Sequence, residues 1–411
     1  MLTRYISKTI DVLKNSHLGL FLLGPRQTGK STVIESYFEN IAPKNKLIFK
    51  LQESKTYENV AKNPSLIFNA ATAILEKNAS TLHLYIDEIQ LLPELLGDCQ
   101  SLCDQYKGKI HIYVTGSSAR KLRRQGINLL PGRIIMKHLH PLMLSEFKKS
   151  TDSYIIPIHD FIPENTNDEY TLEDILIYGT LPGIVTSDKQ LRGEILYSYV
   201  STYLQEEIRM EALARKLGPF SRFLELAALE SSSFPNLTKL SIETGIPVAT
   251  IKNYYDILED TLLIFKVPPF SKAGRKRILA TPKYYFYDTG IRNAAAGLTL
   301  DENLLKTQGG VLFETFVVLE LIRRIDYLYP HQWKYYYWRT TTDIEVDFII
   351  DTGTEIIPIE IKYSTGTHAR HIKNLRIFMD EYNIAKGFII GNFPLPEKLA
   401  DGITAIPWNW I

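Results

Sequence analysis

Residues 18–32 read LGLFLLGPRQTGKST. An apolar run meets a glycine-containing loop, and the loop meets a lysine and two hydroxyls. The pattern is G-x-x-x-x-G-K-[ST], carried by Gly24, Gly29, Lys30 and Ser31, with Pro25, Arg26, Gln27 and Thr28 between the glycines and Thr32 just after. A phosphate must approach backbone N–H groups closely, and glycine permits both the approach and the unusual φ. The N-terminus of a following helix adds free N–H donors and partial positive charge. The pattern assigns Lys30 to the β- and γ-phosphates and Ser31 to Mg²⁺. It predicts strand, phosphate loop and helix in that order, with ATP and Mg²⁺ as cofactors.

Working outward, TLHLYIDEIQ (81–90) sends an apolar strand into two adjacent carboxylates, Asp87 and Glu88. Two carboxylates after a buried strand are costly without a partner. A Mg²⁺ at the phosphate loop offers one: Asp87 holds the metal through water, and Glu88 activates the attacking water. KIHIYVTGSSARKL (109–122) supplies a further strand ending in Thr115, Gly116, Ser117 and Ser118. Two readings of Thr115 and Ser117 stay open: they sense the γ-phosphate, or they cap the next helix. With KLIFKL (46–51), these strands alternate with helical stretches, which predicts an α/β layer with a largely parallel sheet over residues 1–150.

In this order GPRQTGKST, YIDEIQ, VTGSSARKL, LPGRI (130–134) and HPLMLSEF (140–147) resemble the AAA-type P-loop ATPases of bacteria and archaea that carry a C-terminal nuclease-like domain of unknown function. The resemblance covers nearly the whole chain. It implies an ATPase core with Lys30, Ser31, Asp87 and Glu88 in the roles above. Arg133 of LPGRI matches the pattern, either as a γ-phosphate contact or as a structural ion pair.

The bulk composition is that of a globular multidomain protein: 411 residues, 45% hydrophobic and 23% charged. A net charge of +1 excludes a global field that would demand nucleic acid or membrane. Cys99 and Cys103, four apart, read as reduced packing residues on one helix face, as suits a cytosolic protein. The N-terminal MLTRYISKTIDVLKNS has an amphipathic helix pattern rather than a signal peptide, and LGLFLL is too short to span a bilayer. A cytoplasmic protein without a membrane partner is expected.

Residues 151–168 read as a connection, and 151–270 as a helical lid followed by a winged helix. The winged helix rests on NLTKLSIETGIPVATIKNYYDILEDTLLIFKVPPF (236–270): a helix ending at Gly245, a second with Ile251, Tyr254, Tyr255 and Leu258 at helical spacing, then a strand. Its exposed side offers Thr250, Lys252 and Asn253 to DNA, or the module docks a protein. Lys272, Arg275, Lys276 and Arg277, and Arg120, Lys121, Arg123 and Arg124, are phosphate tracks or solvated faces.

Residues 271–411 read as an α+β, restriction-endonuclease-like domain. WRTTTDIEVDFIIDTGTEIIPIEIKYS (338–364) predicts a hairpin about Gly353 with Asp347 roughly opposite Glu360 and with Lys362 beside it, although a register slip of one residue would reverse which faces match. Pro358 is expected on an edge or at a bulge. In VLFETFVVLELIRRI (311–325), Glu314 falls in the centre of the most apolar helix face, with Glu320, Arg323 and Arg324 on the other side. A carboxylate there wants a metal, or a cation such as Arg339. Glu314, Asp347 and Glu360-x-Lys362 resemble the PD-(D/E)xK nucleases, in which carboxylates bind Mg²⁺ and the lysine positions water or stabilises charge. Asp288 and Arg292 read as a pair at a helix start. His368 and His371 lack a third ligand for zinc.

The expected function is Mg²⁺-dependent ATP hydrolysis coupled to binding or processing of nucleic acid, DNA first, by the C-terminal domain. Here Glu88, Lys30, Asp347, Glu360 and Lys362 are the catalytic candidates. The alternative is an ATP-gated switch that docks a protein partner through a catalytically inactive nuclease-like domain.

Overall fold

The computed structural model describes residues 2–77, 80–117, 130–147, 170–204, 217–271, 281–366 and 369–411. The expected connection 151–168, both arginine- and lysine-rich runs, Ser118 and His368 lie outside these residues. The chain forms two compact units. One is built from Thr3–His140 with Asp260–Leu262, the other from Pro141–Glu259 with Leu263–Ile411.

The first unit is a five-stranded sheet in the order β2-β3-β4-β1-β5. The strands are β1 (Gly19–Leu23), β2 (Lys46–Lys50), β3 (Leu82–Asp87), β4 (Ile110–Gly116) and β5 (Ile134–His138), and every pairing is parallel. All of β1 is buried, as a central parallel strand requires. Helices α1 (Ile6–Leu13), α2 (Lys30–Glu39), α3 (Ser54–Lys62), α4 (Leu66–Lys77) and α5 (Leu95–Gln105) supply the cover. The amphipathic reading of the N-terminus holds: α1 buries Ile6, Ile10 and Leu13. Cys99 and Cys103 are free thiols on α5. Because β4 lies between β1 and β3, the C-terminal ends of three strands converge: Leu23, Asp87 and Gly116.

The second unit opens with α6 (Leu144–Phe147), α7 (Leu172–Tyr178), α8 (Pro182–Val185) and α9 (Arg192–Ser198). Then come α10 (Leu217–Leu229), α11 (Leu237–Thr244), α12 (Val248–Asp260) and an antiparallel pair, β6 (Ile264–Val267) with β7 (Lys283–Phe286). Asn236 caps α11 through Lys239 N–H, and Gly245 ends it at φ 70°. Helix α12 buries Ile251, Tyr254, Tyr255 and Leu258 and exposes Lys252 and Asn253, as its periodicity predicted. A domain boundary at 270/271 would separate β6 from β7, which pair with each other.

After α13 (Thr289–Ala295), the 26-residue α14 (Asn303–Leu328) leads into a six-stranded sheet, β12-β13-β11-β10-β9-β8. Its strands are β8 (Lys334–Arg339), β9 (Glu345–Asp351), β10 (Ile356–Lys362), β11 (Gly387–Gly391), β12 (Glu397–Ala400) and β13 (Ile403–Pro407), with α15 (Ala369–Tyr382) between β10 and β11. One apolar cluster joins Phe313, Phe316 and Val317 of α14 to Phe348, Ile359 and Ile361. Another joins Leu375, Phe378 and Met379 of α15 to Val346, Ile349 and Ile389.

Pro358 departs from expectation. Strand β10 is central, between β9 and β11. Pro358 pairs with Ile349 of β9, but β11 joins only from Ile359 onward. On that flank its missing N–H removes no ladder bond. The polar side of α14 also departs. Glu320, Arg323 and Arg324 are 1%, 1% and 3% exposed, because the segment after Pro141 lies across them. Arg323 donates to Leu142 O at 3.0 Å, Thr180 Oγ1 at 2.9 Å and Tyr287 O at 2.8 Å. Glu320 accepts from Leu144 N at 3.1 Å and Arg324 Nε at 2.7 Å. The side chains of Asp288 and Arg292 do not pair; only the Arg292 N–H donates to Asp288 O, at 3.0 Å. Asp288 caps α13 through Ile291 N–H and accepts from Thr180 N at 2.7 Å. Arg292 donates to Ala228 O and Gln308.

Candidate functional site

In the first unit, the loop from Gly24 to Gly29 links the end of β1 to the start of α2. A Cβ on Gly24 would stand 2.4 Å from Leu139 O, and Gly29 holds φ +89° before α2 begins at Lys30. Both glycines are therefore required by backbone geometry. Lys30 Nζ reaches back to Gly24 O at 2.8 Å and Pro25 O at 3.0 Å, and Thr28 Oγ1 donates to Pro25 O at 2.9 Å. Arg26 is half-buried, while Gln27 (φ 63°) and Thr32 are exposed.

Ser31 Oγ donates to both oxygens of Asp87, at 3.0 and 3.1 Å. Tyr85 OH donates to the same carboxylate at 2.8 Å, and Thr115 Oγ1 also donates to it. Glu88 is 4% exposed in a left-handed conformation, φ 55° and ψ 53°, which a non-glycine residue keeps only where its surroundings enforce it. Its N–H donates to Thr115 Oγ1 at 3.2 Å. Gln90 Nε2 bridges the Glu88 carboxylate and Ser117 Oγ, the latter at 2.9 Å. Thr115 thus touches both acids, and Ser117 reaches Glu88 only through Gln90. Sequence reasoning missed Tyr85 and Gln90, although both sit in YIDEIQ at positions flanking the acids. It also missed Arg4, whose guanidinium donates to Thr28 O and His140 O, both at 2.6 Å.

A hydroxyl and a carboxylate converging at the N-terminus of a ten-residue helix are the oxygen donors Mg²⁺ takes, beside a loop only glycine can build. The residues fit a Mg²⁺-nucleotide. Arg133 does not belong to this set within its own chain. It precedes β5, next to Gly19 at the opposite end of β1, about 16 Å from Gly24 at roughly 3.3 Å per residue. Its guanidinium is engaged by Asp104 at 2.7 and 2.9 Å, the structural alternative.

In the second unit, the hairpin register runs from Ile356 opposite Asp351 to Ile359 opposite Phe348. One step on, the Asp347 carboxylate accepts from Ile361 N at 2.8 Å. Lys362 Nζ lies 3.0 Å from Asp347 Oδ2 and 2.9 Å from Glu360 Oε1. Glu360 is 2% exposed and its Oε2 has no hydrogen-bond partner. Burial, reinforced by Asp347 and opposed by Lys362, pushes its carboxyl up to about 8. Burial works against the Lys362 ammonium, yet Asp347 and Glu360 outweigh it and raise its pKa. An orphaned carboxylate oxygen beside a second carboxylate fits one Mg²⁺, which is satisfied by one or two carboxylates and waters.

Glu314 does not join that pair. Its helix covers the Ile359 and Ile361 face, and Glu360 alternates with those residues. It takes Lys283 at 3.2 Å and Tyr285 OH at 2.8 Å, not Arg339, which pairs with Asp343. Burial raises its pKa, against Lys283 and with Asp347. Among the described residues no three His, Cys, Asp or Glu side chains are grouped to hold a metal ion. Lys283 was missed, although strand alternation places it and Tyr285 on one face.

Fold and site define a P-loop α/β domain in the N-terminal region. Residues 16–148 match the family described as an AAA domain. Residues 169–302 and 309–411 match two domains of unknown function, DUF8612 and DUF4143. An uncharacterized Haemophilus influenzae protein is 24% identical over 420 residues, covering 98% of this chain and 96% of that one. An uncharacterized Methanocaldococcus jannaschii protein is 25% identical over 438 residues, covering 98% and 86%. AMPPCP-bound DnaA from Aquifex aeolicus is similar at 12% identity and a TM-score of 0.26, over 63% of this chain and 89% of that one, a level that carries no assignment. Among the described residues no helix is long and apolar enough to cross a membrane.

Proposed function

We propose that this protein is a cytoplasmic Mg²⁺-dependent ATPase whose hydrolysis cycle is coupled to nucleic-acid binding or processing by a nuclease-like C-terminal domain. The observation that carries the ATPase reading is the convergence of Ser31, Asp87, Glu88 and Gln90 on the end of the loop that holds Lys30. Lys30 and the first N–H groups of α2 bind the phosphates. Ser31 and Asp87 hold Mg²⁺, which when bound draws off phosphate charge. Glu88, fixed by Gln90, orients the attacking water and takes its proton. Lys30→Ala is expected to lower ATP turnover on the order of 100-fold or more. Normal turnover in that variant would sink the assignment.

The nuclease-like reading rests on Asp347, Glu360 and Lys362. The carboxylate pair holds one Mg²⁺, and Lys362 steadies the water or the developing phosphorane charge. Helices α11 and α12 with β6 serve as a winged helix that brings DNA or a protein partner. Asp347→Ala and Lys362→Ala are expected to abolish Mg²⁺-dependent cleavage of branched or single-stranded DNA. The second reading, an ATP-gated switch with an inactive nuclease-like domain, is favoured by one observation: each carboxylate of the cluster already has a lysine. Absence of cleavage by wild type across DNA substrates and divalent metals would select it.

A further inference from the structure

Four carboxylates gather around this C-terminal site, and they form two pairs. Asp347 and Glu360 share Lys362, at 3.0 and 2.9 Å. Glu314 and Glu345 share Lys283, which stands 3.2 Å from Glu314 and in direct contact with Glu345. Lys283 is the first residue of β7, and its ammonium lies 5.4 Å from the Phe234 ring centre. Tyr285, two residues on, secures Glu314 with its hydroxyl at 2.8 Å.

The two lysines differ in access. The Lys362 side chain is 26% exposed and that of Lys283 only 4%. An ammonium enclosed between two carboxylates is stable only while both stay. Lys362 is the more accessible of the two. Glu360 Oε2 is buried and has no partner, while Lys283 and Tyr285 both bond Glu314 Oε1.

We propose that Lys283 is a resident cation that occupies the Glu314–Glu345 pair permanently, so that the C-terminal site takes one hard divalent ion, on Asp347 and Glu360, and not two. This rests on the reading of Asp347 and Glu360 as metal ligands. Lys283 is then a positioning residue. It occupies Glu314 and Glu345 and so denies both to a metal ion.

The test is Mn²⁺ titration of the nucleotide-free full chain, read by the electron paramagnetic resonance of free Mn²⁺. All samples carry Asp87→Asn, so that the P-loop contributes no ion. The parent is expected to bind one Mn²⁺ and Lys283→Met to bind two. Glu314→Gln keeps both hydrogen bonds and is expected to weaken Mn²⁺ binding by about tenfold at most, against a loss on the order of 100-fold in Asp347→Asn. Lys283→Met binding no more Mn²⁺ than the parent overturns the proposal. So does Glu314→Gln losing as much as Asp347→Asn, and that arm decides the matter if Lys283→Met does not fold. A parent that binds none, with Lys283→Met binding one, overturns the Asp347–Glu360 reading and leaves the role of Lys283 standing.

Discussion

The Ser31 hydroxyl stands 3.0 and 3.1 Å from the two carboxylate oxygens of Asp87, a residue 56 positions away in the chain. The parallel sheet brings the two together by setting β3 one strand away from β1, across β4. Both groups supply hard oxygens to one point. Ser31→Ala and Asp87→Asn are therefore expected to lower Mg²⁺-dependent ATP turnover by roughly 100-fold. Nucleotide affinity measured without Mg²⁺ should stay near that of wild type. An equal loss of affinity without Mg²⁺ would place these residues in the phosphate cradle instead.

Gln90 holds the Glu88 carboxylate and ties it to Ser117. Its loss leaves the Glu88 carboxylate unaimed. Gln90→Ala is expected to lower kcat for ATP by about tenfold or more with little change in KM, since general-base geometry contributes roughly 10²–10⁴. Steady-state kinetics separates the two parameters. A raised KM at constant kcat would mean that Gln90 serves binding.

Gly179 turns the chain at φ 78° and ψ −163°, and a Cβ there would stand 1.9 Å from Asp288 Oδ1. Asp288 is itself fixed by Thr180 N and Ile291 N. Gly179→Ala is expected to destabilise the chain by about 3 kcal/mol or more, combining backbone strain with a displaced buried carboxylate. Urea unfolding measures it. A cost below about 1 kcal/mol would show that the Asp288 cap yields freely.

His83 and His111 are cross-strand partners whose rings stack at 5.2 Å. Burial, then His111, lowers His83 from 6.5 to about 4, and burial, then His17, lowers His111. Tyr37 of α2 and Tyr113 of β4 face the pair and supply no negative charge. Below pH 6.5 the unfolded chain binds more protons than the folded one. This contribution to stability is therefore complete above about 6.5 and is lost as pH falls toward 4. The thermal midpoint of His83→Phe should decline less than that of wild type between about pH 7 and about pH 5. Parallel declines would place the acid sensitivity elsewhere.

The P-loop site was legible because its requirements are local. A strand, two glycines, a lysine and a hydroxyl must follow one another in a fixed order, and the order is visible in GPRQTGKST. The hairpin about Gly353 was legible too, but a slip of one residue would have reversed its faces, so the meeting of Asp347 with Lys362 waited on the register that sets Ile356 opposite Asp351. Lys283 was not legible. Alternation in KYYF says that Lys283 and Tyr285 share a face, and nothing in the segment says that Glu314 and Glu345 cover it. Arg133 was ambiguous until Asp104 was found beside it.

By itself the sequence determined the order of elements, the phosphate-binding loop with its two carboxylates, and the hairpin that pairs β9 with β10. Backbone sterics and hydrophobic periodicity act over a few residues, so a local reading captures them. Tertiary structure decided which charge answers which. Lys283 went to Glu314 and Glu345, Arg323 to three acceptors beneath the segment after Pro141, and Glu360 was left with one oxygen unanswered. Electrostatic energy depends on separation and burial. Both are set by segments distant in the chain, so those charge pairings exist only once the fold has closed.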